Sequence, residues 1–184
     1  MNPGIPAASL IVLACAAGNR WLVADPVLHV LLQLPLLGAS GCLLVPQQRV
    51  VAGWRWAAGG VAPLSLALTG VAFWMLPRSI DGAVNNGMMS LVKFVSLPVI
   101  GALITVCWRR GHALLLAFVK AQVVSMAGFM AFLFTHSPVR LCNSYLIDDQ
   151  WRLGVAFLWL GVALAGYWAL GLFRVPAPIQ SELH

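Results

Sequence analysis

Charged side chains are scarce in this chain of 184 residues. Asp, Glu, Lys and Arg make up 9% of the sequence and only 5 residues are acidic, whereas 61% are hydrophobic. Together with a mean hydropathy of +0.90, this composition excludes an ordinary water-soluble domain and is typical of an integral membrane protein. Long polar blocks, low-complexity tracts and clear repeats are also lacking, so we predict one membrane domain over residues 1–184.

Motifs of intramembrane catalysis are missing as well. The sequence contains no zinc-protease motif, no convincing nucleophile with a base, and no Cys-x-x-Cys or Met-x-x-Met pair. The polar residues expected near the middle of the membrane are Gln33, Lys120 and Gln122, too few for a catalytic or transport site. We therefore expect a protein that is not an enzyme and has no evident small-molecule substrate.

The positive charge of the chain does not indicate nucleic-acid binding. The net charge is +6 and the pI is near 9.8, but the Arg residues are scattered at predicted helix ends instead of clustering with aromatics on one face. Lipid headgroups are the expected partners of these side chains.

Apolar runs of about 20 residues, the length that crosses the hydrocarbon core as a helix, predict the architecture. The predicted spans are residues 4–20, 27–46, 57–76, 88–108, 112–134 and 153–173. The expected fold is therefore an all-α, polytopic transmembrane helical bundle of about six helices.

The first span has alternatives, because it is short and ends at residues 18–20. It could be a cleaved signal peptide or a lipoprotein signal processed at Cys15, which would leave five helices. No Lys or Arg precedes the apolar run, however, and the residues before Cys15 are Val12, Leu13 and Ala14, which are not small at both of the nearest positions, as a lipoprotein signal needs. We expect a retained first helix.

The Arg residues predict an orientation. Five lie at one set of helix ends and four at the other; they are Arg49, Arg55, Arg109, Arg110 and Arg174, against Arg20, Arg78, Arg140 and Arg152. The positive-inside rule makes the first set cytoplasmic. We therefore expect a multi-pass protein of the bacterial inner membrane with a cytoplasmic C-terminus and an external polar segment at residues 135–154.

Soft ligand atoms collect at the predicted external side of the bundle. Thioether, thiolate and imidazole groups suit Cu(I), and the candidate metal ligands are His29, Met88, Met89, His136 and Cys142. A purely structural role for these residues is the alternative, because Met commonly fills gaps in apolar cores and His near a membrane interface often makes only hydrogen bonds. Haem ligation by His29 and His136 is a weaker alternative.

Two lysines fall within predicted spans. A charge inside the bilayer usually faces the bundle interior or reaches an interface. We expect Lys93 to pair with Asp81 or reach headgroups, and Lys120 to meet Gln122, Gln33 or a partner subunit, in structural roles.

Two polar segments have simple backbone interpretations. Residues 75–87 are predicted to be a loop in which Pro77 ends a helix and Asp81 and the following Asn and Gly residues turn the chain. Near the C-terminus, residues 137–138 should end the fifth helix, and Asp149 should cap the sixth.

Three stretches carry a family resemblance: "LHVLLQLPLLGASG" from Leu28, "FWMLPRSIDGAVNNGMMSLVKFVSLPVIGALITVCW" from Phe73, and "IDDQWRLGVAFLW" from Ile147. Their order and motifs resemble a shortened, diverged member of the CtaG family, the membrane proteins that assemble caa3-type cytochrome c oxidase. The matching motif residues are Trp74, Leu76, Pro77, Asp81 and Ala83 in the second stretch, and Asp149, Gln150 and Gly154 in the third.

The chain departs from the family pattern where that pattern has histidines. Asp25 and His29 stand where the family has a His pair, and the next expected His positions fall near Met89 and Lys93. The resemblance implies a non-enzymatic assembly factor whose partners are haem-copper oxidase subunits and whose cofactor or cargo is copper. The alternative is a permanent accessory subunit of a respiratory oxidase without a metal of its own.

Overall fold

The computed structural model describes residues 4–45, 61–110, 113–137 and 144–173, and the regular elements in these ranges are helices. In chain order they are α1 Gly4–Ala17, α2 Asn19–Ala24, a π-helical turn Leu28–Gln33, α3 Leu34–Leu44, α4 Val61–Met75, α5 Pro77–Asn85, α6 Gly87–Arg110, α7 Ala113–His136 and α8 Ile147–Phe173. The predicted all-α helical bundle is confirmed.

The long helices have the dimensions of membrane spans. α6, α7 and α8 are each long and apolar enough to cross a bilayer, and α4 with α5 forms a further candidate that is bent by 70°. α1 and the continuous helix Leu28–Leu44 are apolar but shorter. Large hydrophobic side chains on these helices are exposed, such as Leu114 at 84%, as expected where a helix faces hydrocarbon. The chain is therefore a membrane protein.

The prediction of a loop over residues 75–87 is wrong in its central part, where the chain forms α5. Pro77 does end α4, but it also occupies the first turn of α5, where its fixed φ suits a helix and its missing N–H is not needed. α5 turns sharply away from α4 and carries Asp81. The polar connection is thus a short helix with a defined direction.

The last helix also begins earlier than its predicted apolar span. α8 starts at Ile147, so Asp148 and Asp149 lie inside its first turn and not at the cap. Their carboxylates still favour the positive end of the helix dipole there. Asp149 contacts Arg152 one turn later, with 3.5 Å between Oδ1 and Nη1.

α3 and α6 cross at backbone contact. A Cβ added to Gly41 would lie 1.8 Å from the carbonyl oxygen of Pro98, and one added to Gly101 would lie 1.8 Å from that of Gly38. The Cys42 thiol donates to the Gly101 carbonyl at 3.4 Å across the same crossing. Small residues allow such approaches in membranes, where close packing drives helix association. This crossing holds α6 against the helix that carries His29.

The other helices pack around this crossing. Trp74 of α4 is buried and donates from its indole to the Ser96 hydroxyl of α6 at 2.9 Å. α7 and α8 pair along their lengths, where the small residue Gly161 lies against Ala127. We refer to the end of the bundle that holds Asp25, Asp81 and Tyr145 as the Tyr145 end, and to the opposite end of α6 as the Trp108 end.

Candidate functional site

A buried lysine is the centre of a polar cluster in the described part of the bundle. The side chain of Lys93 is fully buried, and its Nζ lies 3.1 Å from Asn19 Oδ1, 3.1 Å from Gln33 Oε1 and 3.4 Å from His29 Nε2. An ammonium group has three N–H donors. Each donor therefore has one acceptor, and we call Asn19, His29, Gln33, Lys93 and Tyr145 the Lys93 cluster.

The hydrogen bonds of Tyr145 assign the tautomer of His29. The Tyr145 hydroxyl donates to the Val23 carbonyl at 2.9 Å, so it accepts a hydrogen bond from His29 Nδ1, which lies 3.1 Å away. With the proton on Nδ1, Nε2 of a neutral imidazole carries the lone pair that faces Lys93. Both ring nitrogens of His29 are thus engaged.

Gln33 is held so that only its oxygen faces Lys93. Its Nε2 donates to Asn19 Oδ1 at 2.9 Å and to the Cys15 carbonyl at 3.3 Å. These two bonds use both amide hydrogens and direct Oε1 towards the ammonium. The arrangement connects α1, α2, the π-helical turn and α6 through side chains that fix one another.

The local sequence explains why His29 and Gln33 lie on a widened turn. Asp25 Oδ1 accepts from the backbone N–H groups of Val27 and Leu28 at 2.8 and 3.3 Å, which starts the helix. Pro35 follows the turn, and its ring would clash with the carbonyl four residues earlier in a regular α-helix. The backbone instead forms an i to i−5 bond from Leu34 to His29, a π-type turn of the kind that often occurs at functional sites.

The positive charge of Lys93 is met by neutral dipoles. Among the described residues, the ion pairs are those of Arg152 with Asp25 and Asp149, and neither includes Lys93. Our expectation that Lys93 would pair with Asp81 or reach headgroups is wrong, because the α3–α6 crossing turns its side chain into the bundle. A buried ionisable residue in a membrane protein is expensive to maintain and marks a candidate functional site.

The segment before α8 closes the cluster at the Tyr145 end. Asp81 accepts from the backbone N–H of Ser144 at 2.9 Å and also from its hydroxyl, and Asn85 donates to the Ser144 hydroxyl oxygen at 2.7 Å. The next residue, Tyr145, is 6% exposed and covers His29. The Asp81 carboxylate thus positions the residue that covers the site.

Replacing Asp81 with Ala should loosen this closing segment. Two hydrogen bonds to Ser144 are lost, and each bond to a charged group contributes about 1.5 to 3 kcal/mol. We expect amide hydrogen exchange over residues 144–146 to accelerate roughly tenfold or more, since local opening becomes easier. Asp148→Ala removes an exposed carboxylate nearby and should leave exchange in this segment unchanged; equal exchange in both variants would contradict the role given to Asp81.

The predicted metal ligands have different surroundings. Met88 is 71% exposed at the start of α6, whereas the neighbouring Met89 packs against α5 at Gly82. His136 is exposed at the end of α7, where its ring stacks on Phe132 with centroids 4.6 Å apart.

Within the described residues, His29 is not free to bind a metal ion in this arrangement. Both nitrogens of His29 are already hydrogen-bonded, and Cys142 lies outside the described ranges. Nowhere in those ranges do three or more His, Cys, Asp or Glu side chains lie close enough together to hold a metal ion. The chemistry of the cluster, as it stands, is hydrogen bonding around an ammonium group.

Sequence reasoning missed most of the Lys93 cluster. His29 and Gln33 are four residues apart and are polar residues in an apolar run, and Lys93 interrupts another such run. The rule that polar residues inside a membrane contact one another would have predicted that these three side chains meet. No comparable signal distinguishes Tyr145, which follows a polar connection of similar composition.

The fold and cluster define the general class: a polytopic helical membrane protein with a buried, lysine-centred polar site. Comparisons with known proteins add no narrower assignment, since no family model, curated protein or solved structure matches the chain.

Proposed function

We propose that this protein is a non-enzymatic assembly factor for a haem-copper cytochrome c oxidase, located in the bacterial inner membrane with its C-terminus in the cytoplasm. One observation carries the proposal. The resemblance to the CtaG family predicts histidines at or near residues 29 and 93. These two positions are 64 residues apart in sequence, but His29 Nε2 and Lys93 Nζ lie 3.4 Å apart. Motif positions that converge in space support a shared ancestral site.

Contacts between the other resembling stretches support the same proposal. Asp25 stands where the family has its other histidine, and its carboxylate lies 3.4 Å from the guanidinium of Arg152. Arg152 follows the Asp-Gln motif of the third stretch. Asp81, the acidic residue of the second motif, holds Ser144 just before the third stretch. The three stretches thus surround the Tyr145 end of the bundle, which the predicted orientation places outside the cytoplasm.

Copper enters this proposal as cargo. Met88 and His136 are exposed and offer a thioether and an imidazole, both suited to Cu(I). His29 could contribute only if Lys93 gave up its hydrogen bond to Nε2. The proposal therefore assigns transient contact with copper to the exposed groups, with Met89 and Cys142 as further candidates, and no step to a resident metal in the Lys93 cluster.

A second candidate function is a permanent accessory subunit of the oxidase without its own metal. The observation that favours it is the occupation of His29 Nε2 by an ammonium group. A lysine in place of a ligand is consistent with a site that has kept its architecture and lost its metal.

Purification of the tagged protein from its native membrane in mild detergent separates the two candidates. Co-purifying chains are identified by mass spectrometry, and copper is quantified on the same sample. Copper that depends on Met88 and His136, without stoichiometric oxidase subunits, supports the assembly factor. Stoichiometric oxidase subunits without copper bound to this chain support the accessory subunit, and absence of both copper and oxidase subunits contradicts the proposal.

A single substitution tests the inferred ancestry of the cluster. Lys93→His replaces the ammonium group with an imidazole next to His29, and two neutral imidazoles suit Cu(I) or Cu(II). We expect the purified variant to gain about one copper ion per chain, with at least tenfold tighter binding than wild type in a competition titration. Lys93→Met is the control, since it removes the ammonium without adding a nitrogen ligand. Equal copper binding by both variants would remove the main support for the resemblance.

A further inference from the structure

A cleft separates α7 from α4 and α6 towards the Trp108 end of the bundle. It has a volume of about 370 Å³, within the range of small-molecule sites. Leu64 and Val71 of α4, Ile104 and Trp108 of α6, and Val123 of α7 are among its mostly apolar lining residues. The cleft is distinct from the Lys93 cluster, since none of the five cluster residues lines it.

One residue that lines this mostly apolar cleft has a polar side chain. Gln122 is the tenth residue of α7, which begins at Ala113, so it lies ~14 Å along the helix axis from that end. This is about the middle of a ~30 Å hydrocarbon layer. Gln122 is an exposed residue of α7 that lines the cleft, and its carboxamide has no hydrogen-bond partner among the described residues.

An unsatisfied carboxamide at this depth needs a partner. An amide without a hydrogen bond in an apolar medium is disfavoured by several kcal/mol, and no water is expected in the hydrocarbon layer to compensate. The hydroxyl of Thr69, which also lines the cleft, donates to the Ser65 carbonyl at 2.9 Å and keeps its lone pairs for a further donor. The cleft thus offers a donor and acceptors to a polar group that must itself dissolve in the membrane.

The dimensions and depth of the cleft select the class of ligand. A transmembrane helix, ~10 Å or more across with its side chains, is too large for a cleft of about 370 Å³. The ester groups of a phospholipid lie near the headgroups and do not reach the depth of Gln122. A flat ring with oxygen substituents on an apolar tail satisfies both limits.

We propose that the cleft between α4, α6 and α7 binds a lipid-soluble quinone, with a ring oxygen hydrogen-bonded to the Gln122 carboxamide. The amide N–H donates to a quinone carbonyl, and the amide oxygen accepts from a quinol hydroxyl, so both redox forms are recognised without a redox step in this chain. The apolar walls accommodate the ring and the first part of the tail. This inference is independent of the proposed role in oxidase assembly.

Photolabelling of the full-length protein in lipid nanodiscs tests the inference. The probe is a short-chain benzoquinone that carries an azido group, and labelled peptides are mapped by mass spectrometry. We expect saturable labelling within α4 and α7, with competition by the unlabelled quinone and no competition by added phosphatidylglycerol.

Two variants act on the cleft by different means. Gln122→Met removes the amide at nearly constant volume and should weaken quinone binding roughly tenfold, as expected for loss of one hydrogen bond in an apolar site. Ala72→Phe fills the cleft and should abolish saturable labelling. Phe129→Leu alters an exposed residue of α7 that does not line the cleft and serves as the matched control.

The thermal stability of the variants separates a loss of quinone binding from a loss of folding. Gln122→Met removes an unsatisfied polar group, so without quinone it should unfold at the same or a higher temperature than wild type while binding quinone less well. Non-saturable labelling of wild type, or equal quinone affinity in all variants, would overturn the proposal. Displacement of the probe by phosphatidylglycerol would indicate a general lipid site and would also overturn it. Conversion of a dimer to a monomer by Gln122→Met, without quinone binding, would indicate helix pairing and would overturn it as well.

Discussion

Alanine at Gly41 or at Gly101 is expected to prevent α3 and α6 from packing. Each new Cβ would lie 1.8 Å from a backbone carbonyl oxygen of the other helix. A clash with backbone is not relieved by a rotamer change, so the helices must move apart and lose their packing and the Cys42 hydrogen bond. Overpacking of a rigid core typically destabilises by about 1 to 3 kcal/mol, and we expect each variant to reach or exceed the upper value.

Gly38→Ala provides a matched control on the same helix. Its new Cβ would meet no atom within 4 Å, and Ala is the better helix former. Unfolding by SDS titration, followed by circular dichroism, should show wild-type stability or better for Gly38→Ala and a large loss for Gly41→Ala and Gly101→Ala. A Gly101→Ala protein as stable as Gly38→Ala would show that the backbones do not touch.

Substitutions at the same crossing should also disrupt the hydrogen bonds of the Lys93 cluster. Lys93 lies two turns before Gly101 on α6, and Gln33 lies two turns before Gly41 on the facing helix. Separation of the helices at the glycines therefore also lengthens the distance between Lys93 and its acceptors. The glycine variants should consequently expose Lys93 to amine-reactive reagents that do not modify the fully buried side chain in wild type.

Gln33→Met is expected to be the most damaging single change within the Lys93 cluster. It removes the acceptor 3.1 Å from Nζ as well as the donor that orients Asn19, at nearly constant volume. A hydrogen bond to a charged group typically contributes about 1.5 to 3 kcal/mol. The variant should lose a comparable part of its free energy of unfolding in the same SDS titration.

The double variant Gln33→Met with Lys93→Met distinguishes this explanation from a packing defect. Without the ammonium there is no buried charge that lacks an acceptor, so the double variant should be more stable than Gln33→Met alone, with a coupling energy of about 1 kcal/mol or more. Leu32→Met, at an exposed position of the same turn, should be close to wild type. Additive effects of the two cluster substitutions would show that Gln33 and Lys93 do not interact.

The fold was predictable from the sequence because hydropathy is a local property. Each predicted span coincides in its centre with an observed helix, for example residues 112–134 with α7 at Ala113–His136, since a run of apolar residues must satisfy its own backbone in a membrane. The errors fell where polarity was read as a loop. Residues 77–85 and 147–152 are polar and helical, because an amphipathic turn at a membrane surface can bury one side and solvate the other.

The candidate site was predictable only in part. His29 was predicted to be a metal ligand, since its imidazole and the nearby methionines share a preference for soft metals. That role stays a prediction, and the structure adds the contacts of His29 with Lys93 and Tyr145. Lys93 was expected to pair with an outer carboxylate such as Asp81 or to reach headgroups. Hydropathy cannot show which way a helix face points, and a charge inside an apolar run has several partners that composition alone does not rank.

By itself, the sequence determined that this chain is a helical membrane protein, where its long apolar helices lie, and which few polar residues enter the apolar layer. Only the tertiary structure decided that Lys93 meets His29, Gln33 and Asn19 instead of Asp81. That choice depends on which face of α6 touches α3. Gly41 and Gly101 fix it, because only their missing side chains let the two backbones approach closely enough to enclose an ammonium group among neutral acceptors.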